Sequence, residues 1–247
     1  MRRPAIINVM LRATSAAARV LNKDFGEVVN LQSARGGPGK FANMAFKRAT
    51  TVLSETLTDL RDDYQIFHAT AGTTQPQDTG FIINALDGRG NFLHGVPHFA
   101  VTVAAIENGE ITAAIIHDAT RQDSFWATKG IGCYRENERL RVSLRRDLHD
   151  CLIGVSHLPF DFGEGSIGTV RAYGCAALDL AYVACGRLDG CHIYTKQNIA
   201  AGEFLVREAG GLVAKSSTSN KTDQRHDSII ASNAEIHDSL RATAKKA

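Results

Sequence analysis

Apolar residues recur at helical spacing over residues 4–22, where Ile6, Val9, Met10, Ala13, Ala17, Val20 and Leu21 mark one face of an amphipathic helix. The same spacing returns from about 42 to 60 through Ala45, Ala49, Val52, Leu53, Leu57 and Leu60. Between the two, Gly36-Gly37-Pro38-Gly39 reads as a loop, and the polar 70–79 stretch reads as a surface connection into a strand at 80–86. From Phe99 the pattern changes. Two β-rich runs, 100–106 and 111–116, flank Asn108-Gly109, a dipeptide that tolerates the positive φ of a type I′ hairpin turn. Ser124-Phe125-Trp126-Ala127 and Leu140-Arg141-Val142 read as further strands. The second half predicts a strand at 151–156, helices at about 175–187 and 198–209, strands at 211–215 and 227–232, and a last helix from Ala234. Helices and strands mixed in this way predict a layered α/β or α+β architecture of two fused halves, about 1–142 and 143–247.

Composition narrows the function classes only a little. With 247 residues and 44% hydrophobic content the chain can bury one sizeable core or two fused ones. Its 28 Lys and Arg against 26 Asp and Glu leave a net charge of +2, which points to no polyanionic partner, and the basic residues do not cluster with aromatics as a nucleic-acid surface would. No window approaches the roughly 18 consecutive apolar residues of a membrane span. The start is basic but interrupted by Asn8, Arg12 and Arg19, so no secretory signal is expected. Five cysteines, an odd number without paired-ligand spacing, are expected to be buried thiols of a cytoplasmic protein.

Several short motifs fail on inspection. Gly36-Gly37-Pro38-Gly39-Lys40 is not a phosphate loop, because Ala34 stands where the first Gly belongs and Phe41 where Ser or Thr should follow Lys40. His94 and His98 have Gly95 and Pro97 between them and do not share a regular helix face, and Cys191-His192 lacks a partner at zinc spacing. No Gly-x-Ser-x-Gly elbow occurs. The informative stretch is Asn84-Ala85-Leu86-Asp87-Gly88-Arg89-Gly90-Asn91, an apolar strand that delivers a carboxylate into a Gly-rich turn. Phosphate and metal sites are commonly built this way, but here the frame carries one acid.

Three segments in order, 84–95, Gly174-Cys175-Ala176-Ala177-Leu178-Asp179, and Ala200-Ala201-Gly202 with Glu208-Ala209-Gly210-Gly211, resemble the inositol monophosphatase family, and in detail its bacterial extragenic-suppressor subgroup. Asp24-Phe25-Gly26-Glu27-Val28, Arg139-Leu140-Arg141-Val142 and residues 180–187 extend the resemblance nearly end to end. It implies an αβαβα sandwich, like that of the sugar phosphatases, and a Mg²⁺-dependent phosphomonoesterase of inositol monophosphate or a related ester. It also implies, for the subgroup, a role in transcription antitermination through contact with a transcription factor, and a homodimer.

Carried over position by position, the resemblance exposes losses. Where the family has Asp-Pro-[Ile/Leu]-Asp-Gly-Thr, this chain has Asn84, Ala85, a retained Asp87 and Gly88, and Arg89 for Thr. The family's metal-binding Glu falls on Ala69, its Asp ahead of the Ala-Ala-Gly segment on Asn198, and an earlier Asp on Phe46. The metal set implied is thus Asp87, with Asn84 and Asn198 as degraded positions. Gly88, Arg89, Gly90, Gly174 and Ala176 would surround phosphate and substrate. A helix usual in the family between Phe160 and Val170 is also shortened to 161–169. Clustered divalent cations need several acids for charge neutralisation. The expectation is therefore a binding or regulatory protein with absent or very weak Mg²⁺-dependent hydrolysis. Two alternatives stand beside it: a weakened inositol-phosphate phosphatase, and metal-free phosphate binding through Arg89. A structural salt bridge between Arg89 and Asp87 is a further possibility for the vacant pocket.

Overall fold

A computed structural model describes residues 3–33, 37–69, 78–156, 167–195, 199–218 and 226–244. Helices α1 (Ala5–Asn30) and α2 (Gly39–Leu60) lie together on one face of a seven-stranded sheet. Its strands run in chain order: β1 (Gln65–His68), β2 (Gly80–Asp87), β3 (Ala100–Glu107), β4 (Glu110–Asp118), β5 (Asp123–Thr128), β6 (Gly132–Arg135) and β7 (Glu138–Leu140). A one-turn helix α3 (Arg89–Leu93) follows β2. The second sheet comprises β8 (Leu152–Val155), β9 (Thr169–Arg171), β10 (Gly190–Thr195), β11 (Leu212–Thr218) and β12 (His226–Ser232), in the order β11-β12-β10-β8-β9. Helices α4 (Ala176–Ala184) and α5 (Ala200–Glu208) lie between the sheets, and α6 (His237–Ala244) covers the outer face of the second.

Strand alternation explains the layering. Val101, Val103 and Ala105 of β3 face Met10, Leu21 and Leu53 of the outer helices, while Ala100, Ala104 and Ile106 face Leu178, Ala181 and Leu205. In β12, Ile229 and Ala231 join the central core while Ile230 meets Leu240 of α6. Both faces of each sheet are therefore buried, and the αβαβα sandwich is the result.

The hairpin at Asn108-Gly109 has φ of 52° and 78°, the pair of positive values that a type I′ turn requires. Helix α1 continues past residue 22 to Asn30, and within that extension Asp24 is buried by an ion pair to Arg48 of α2 at 2.7 Å. Strands β1, β6, β9 and β10 lie where the apolar pattern alone predicts none; they are short, and neighbouring strands support them. Arg141 and Val142 lie beyond β7, with Val142 N–H donating to Ala209 O at 3.3 Å. The last helix starts at His237 rather than Ala234, because Asn233 Oδ1 first accepts the Ile236 N–H in a turn. No helix among the described residues is long and apolar enough to cross a membrane.

Candidate functional site

The site begins with a bulge. Along β2, Phe81, Ile83 and Ala85 face the outer helices and Ile82 faces α4 and α5, as strand alternation demands. Leu86 then joins Ala85 on the outer side, where the register with β3 slips between Asn84 and Asp87. The extra residue resets the phase, so Asn84 and Asp87, three apart, come to the same side of the sheet. Ala69 is their neighbour: its N–H donates to Ile83 O at 2.9 Å, and its side chain packs into the central core.

Asp87 is 8% exposed and is turned toward the start of α4. Its Oδ2 accepts the Ala177 N–H at 2.5 Å and the Cys175 thiol at 3.5 Å. Helix α4 has no side-chain cap of its own, so a carboxylate from another element supplies the missing acceptor. Burial pushes the Asp87 carboxyl above the usual range, against the opposing pull of the Ala177, Cys175 and Gly88 donors.

Asp179, one turn into α4, is 1% exposed, and its Oδ1 has no hydrogen-bond partner among the described residues. Burial raises its carboxyl well above 3.8, and nearby Asp87 adds to the effect. A raised acid binds its proton more tightly in the folded chain, so stability falls as pH rises from 3.8 toward the folded-state ionisation. Asp179→Asn is expected to gain on the parent chain across that window by about 1.4 kcal/mol per pH unit. Thermal melts between about pH 4 and pH 8 check this; a difference that stays constant with pH contradicts it.

Gly88 links β2 to α3 with φ of 81°, and a Cβ there would stand 2.8 Å from His98 O, so a side chain is excluded both by conformation and by space. Asn91 fastens the surrounding loops, its Nδ2 donating to His98 O at 2.8 Å and Tyr173 O at 2.7 Å. Gly174, φ 73°, rests against that same amide, with Ala176 half-buried just beyond it; Gly90 is exposed. Of the two histidines, His94 is exposed and His98 is buried beside Tyr173.

Arg89 does not pair with Asp87, which corrects the salt bridge considered from the sequence. Its guanidinium donates to Asn43 Oδ1 and lies over the Phe46 ring, 5.7 Å from the centroid. Asp87 is already engaged by α4, whereas α2 presents an amide and an aromatic face on Arg89's own side. Phe46 thus holds a cation through its ring.

Mg²⁺ prefers several oxygen donors carrying net negative charge. Here Asn84 offers an uncharged carbonyl that already accepts the Leu86 N–H at 3.2 Å, and Ala69 and Phe46 bring no side-chain oxygen. Among the described residues no group of three or more His, Cys, Asp or Glu is arranged to hold a metal ion. These donors do not fit a divalent-cation centre. Asn198 and most of the shortened 161–169 segment lie outside the described residues. All five cysteines are free thiols, four buried and Cys185 half-buried.

Five alternating layers, with a bulged strand ending in an acid and a left-handed glycine opposite a helix N-terminus, define a layered αβαβα protein whose site sits where the bulged strand meets that helix. The inositol monophosphatase family profile matches residues 4–247, and the chain belongs to that family. It is 36% identical to an inositol-1-monophosphatase of Mesorhizobium japonicum, over 100% of this chain and 98% of the relative. It is 33% identical to the Nus factor SuhB of Escherichia coli, over 85% and 84% of the two chains. Among solved structures, the extragenic suppressor protein SuhB of Bartonella henselae superposes with a TM-score of 0.82 at 32% identity, covering 98% of this chain and 100% of the other.

Proposed function

We propose that this chain keeps the family scaffold for binding or regulation and has given up most or all Mg²⁺-dependent phosphomonoester hydrolysis. The observation that carries the reading is the retained acid itself: Asp87 caps the N-terminus of α4, Asn84 and Ala69 beside it bring no further carboxylate, and Arg89 is held away by Asn43 and Phe46 of α2. Asp87 is then kept because it caps α4, a role that needs no metal. The relatives called Nus factor support a protein partner from the transcription machinery. A cytoplasmic homodimer, each protomer one unit of sub-domains meeting near residue 142, completes the proposal.

Phosphate release from inositol 1-phosphate in millimolar Mg²⁺ tests it. One lost supporting group commonly costs about 10–100-fold, so several lost donors predict activity at least about 1,000-fold below that of a relative with the full acid set. Turnover near the relative's that disappears in Asp87→Asn overturns the proposal; Asn is chosen because its carbonyl still caps α4.

The inositol-1-monophosphatases among the relatives, matched across the whole chain, favour a weakened phosphatase as second reading. Metal-free phosphate binding rests on Arg89, whose partners are an amide and a ring rather than a carboxylate. Calorimetric titration of inositol 1-phosphate in EDTA reads it out: heat that vanishes in Arg89→Ala supports it, and no heat removes it.

A further inference from the structure

Helix α5 has two differently used faces. Ala201, Gly202, Leu205, Val206 and Ala209 are buried in the central core. Ala200, Glu203, Phe204 and Arg207 recur at the same helical spacing on another side, where they line a groove of about 430 Å³. The opposite wall is the β3–β4 turn with Lys129, and Lys215 of β11 closes one end. This volume lies within the range of small-molecule sites. The groove is remote from Asp87: that residue pairs with Ala100 at one end of β3, and the turn follows Glu107 at the other, about 23 Å along the strand.

The charges around the groove are unequally committed. Lys129 is paired with Glu110 at 2.5 Å, and Lys215 with the nearly buried Glu203 at 2.6 Å. Because Glu203 is drawn to Lys215, it leaves Arg207, its neighbour one turn on. Among the described residues the Arg207 guanidinium has no carboxylate within ion-pair distance, only a 3.4 Å bond to Val213 O. Beside it, Phe204 and Ile111 are half-buried and offer an apolar floor.

We propose that this groove binds a small organic monocarboxylate with an aryl or branched-alkyl body. The planar Arg207 fork matches a carboxylate, and the body lies on Phe204 and Ile111. With Glu110 and Glu203 neutralised by Lys129 and Lys215, Arg207 is the single uncommitted charge among the described residues of the lining, which matches a monocarboxylate better than a dianionic phosphomonoester. The site is independent of the one at Asp87.

Amide NMR of the full chain titrated with 3-phenylpropanoate tests this. Saturable shifts are expected at residues 109–111 and along α5, with none at Asp87 or Gly88. Losing a charge-assisted fork lowers affinity by about 10–100-fold, the loss expected for Arg207→Gln. On the unaltered chain, 3-phenylpropan-1-ol and phenyl phosphate are each expected to bind at least about threefold more weakly than the acid. Shifts that never saturate, an alcohol or phosphate that binds as well as the acid, or a folded Arg207→Gln chain with unchanged affinity each overturn the assignment. Should Arg207→Gln fail to fold, the comparison of acid with alcohol decides.

Discussion

Installing Ala69→Glu, Asn84→Asp and Arg89→Thr together is expected to tighten Mn²⁺ binding by about 100-fold or more over the parent chain. The geometry already exists. Residue 69 lies beside the β2 backbone at Ile83, and the bulge brings positions 84 and 87 to one side of the sheet. The substitutions would place two further carboxylates near Asp87 and remove the neighbouring cation. Three acids crowded together repel one another until a cation neutralises them, so the metal-free variant is expected to melt below the parent chain. Saturating Mn²⁺, at about 100 times the dissociation constant, should then restore roughly 2.7 kcal/mol. Titration calorimetry and melting with and without Mn²⁺ read this without any assay of turnover. An affinity equal to the parent's would mean that the lost acids are not what separates this site from a metal centre.

Replacing Phe99 by Ala is expected to cost about 3–5 kcal/mol, the range for a fully buried aromatic. Phe99 is 0% exposed, and its ring lies 5.1 Å from both Phe25 and Phe92, edge-on to the latter. Its carbonyl accepts the Ala119 N–H at 3.2 Å, and its Cα lies within 3.1 Å of where a Gly88 side chain would begin. The hole would open directly beneath the Gly88 turn. Against a total stability of about 5–15 kcal/mol this is a large fraction, and the melting temperature should fall by roughly 6–20 °C. Leu144→Ala, at a residue 87% exposed, should move it by no more than about 1–2 °C. Asp87→Ala should fall between the two, at about 1–2 kcal/mol, the value of a helix cap. Differential scanning calorimetry of the three variants tests the ranking, and a Phe99→Ala chain melting with the parent contradicts it.

Much of the frame is legible locally. Helix α2, strand β2 and the hairpin at Asn108-Gly109 follow from spacing and turn chemistry, because each is dictated by residues adjacent in the chain. That Ala69 and Phe46 bring no side-chain oxygen and Asn84 no charge is legible too, since each is a property of the residue itself. Strand β10 is not legible: its six residues sit between two helices, and it is a strand because β8 and β12 flank it with matching edges. The burial of Asp24 in α1 depends likewise on Arg48, which is distant in sequence.

The order of residues alone thus predicts the layered class, because periodicity is local, and its motifs carry the resemblance to the family that the profile bears out. Only tertiary structure decides how the site residues are used. A bulge, which leaves no signal in a period-2 pattern, turns Asp87 toward α4, a helix that begins almost ninety residues later. Arg89, free in sequence to answer that acid, goes instead to Asn43 and Phe46, because Asp87 already accepts a backbone N–H and α2 stands on the other side. Hydrogen bonds and ring contacts of this kind depend on which surfaces packing brings within about 3–6 Å, and residue spacing along the chain does not specify that.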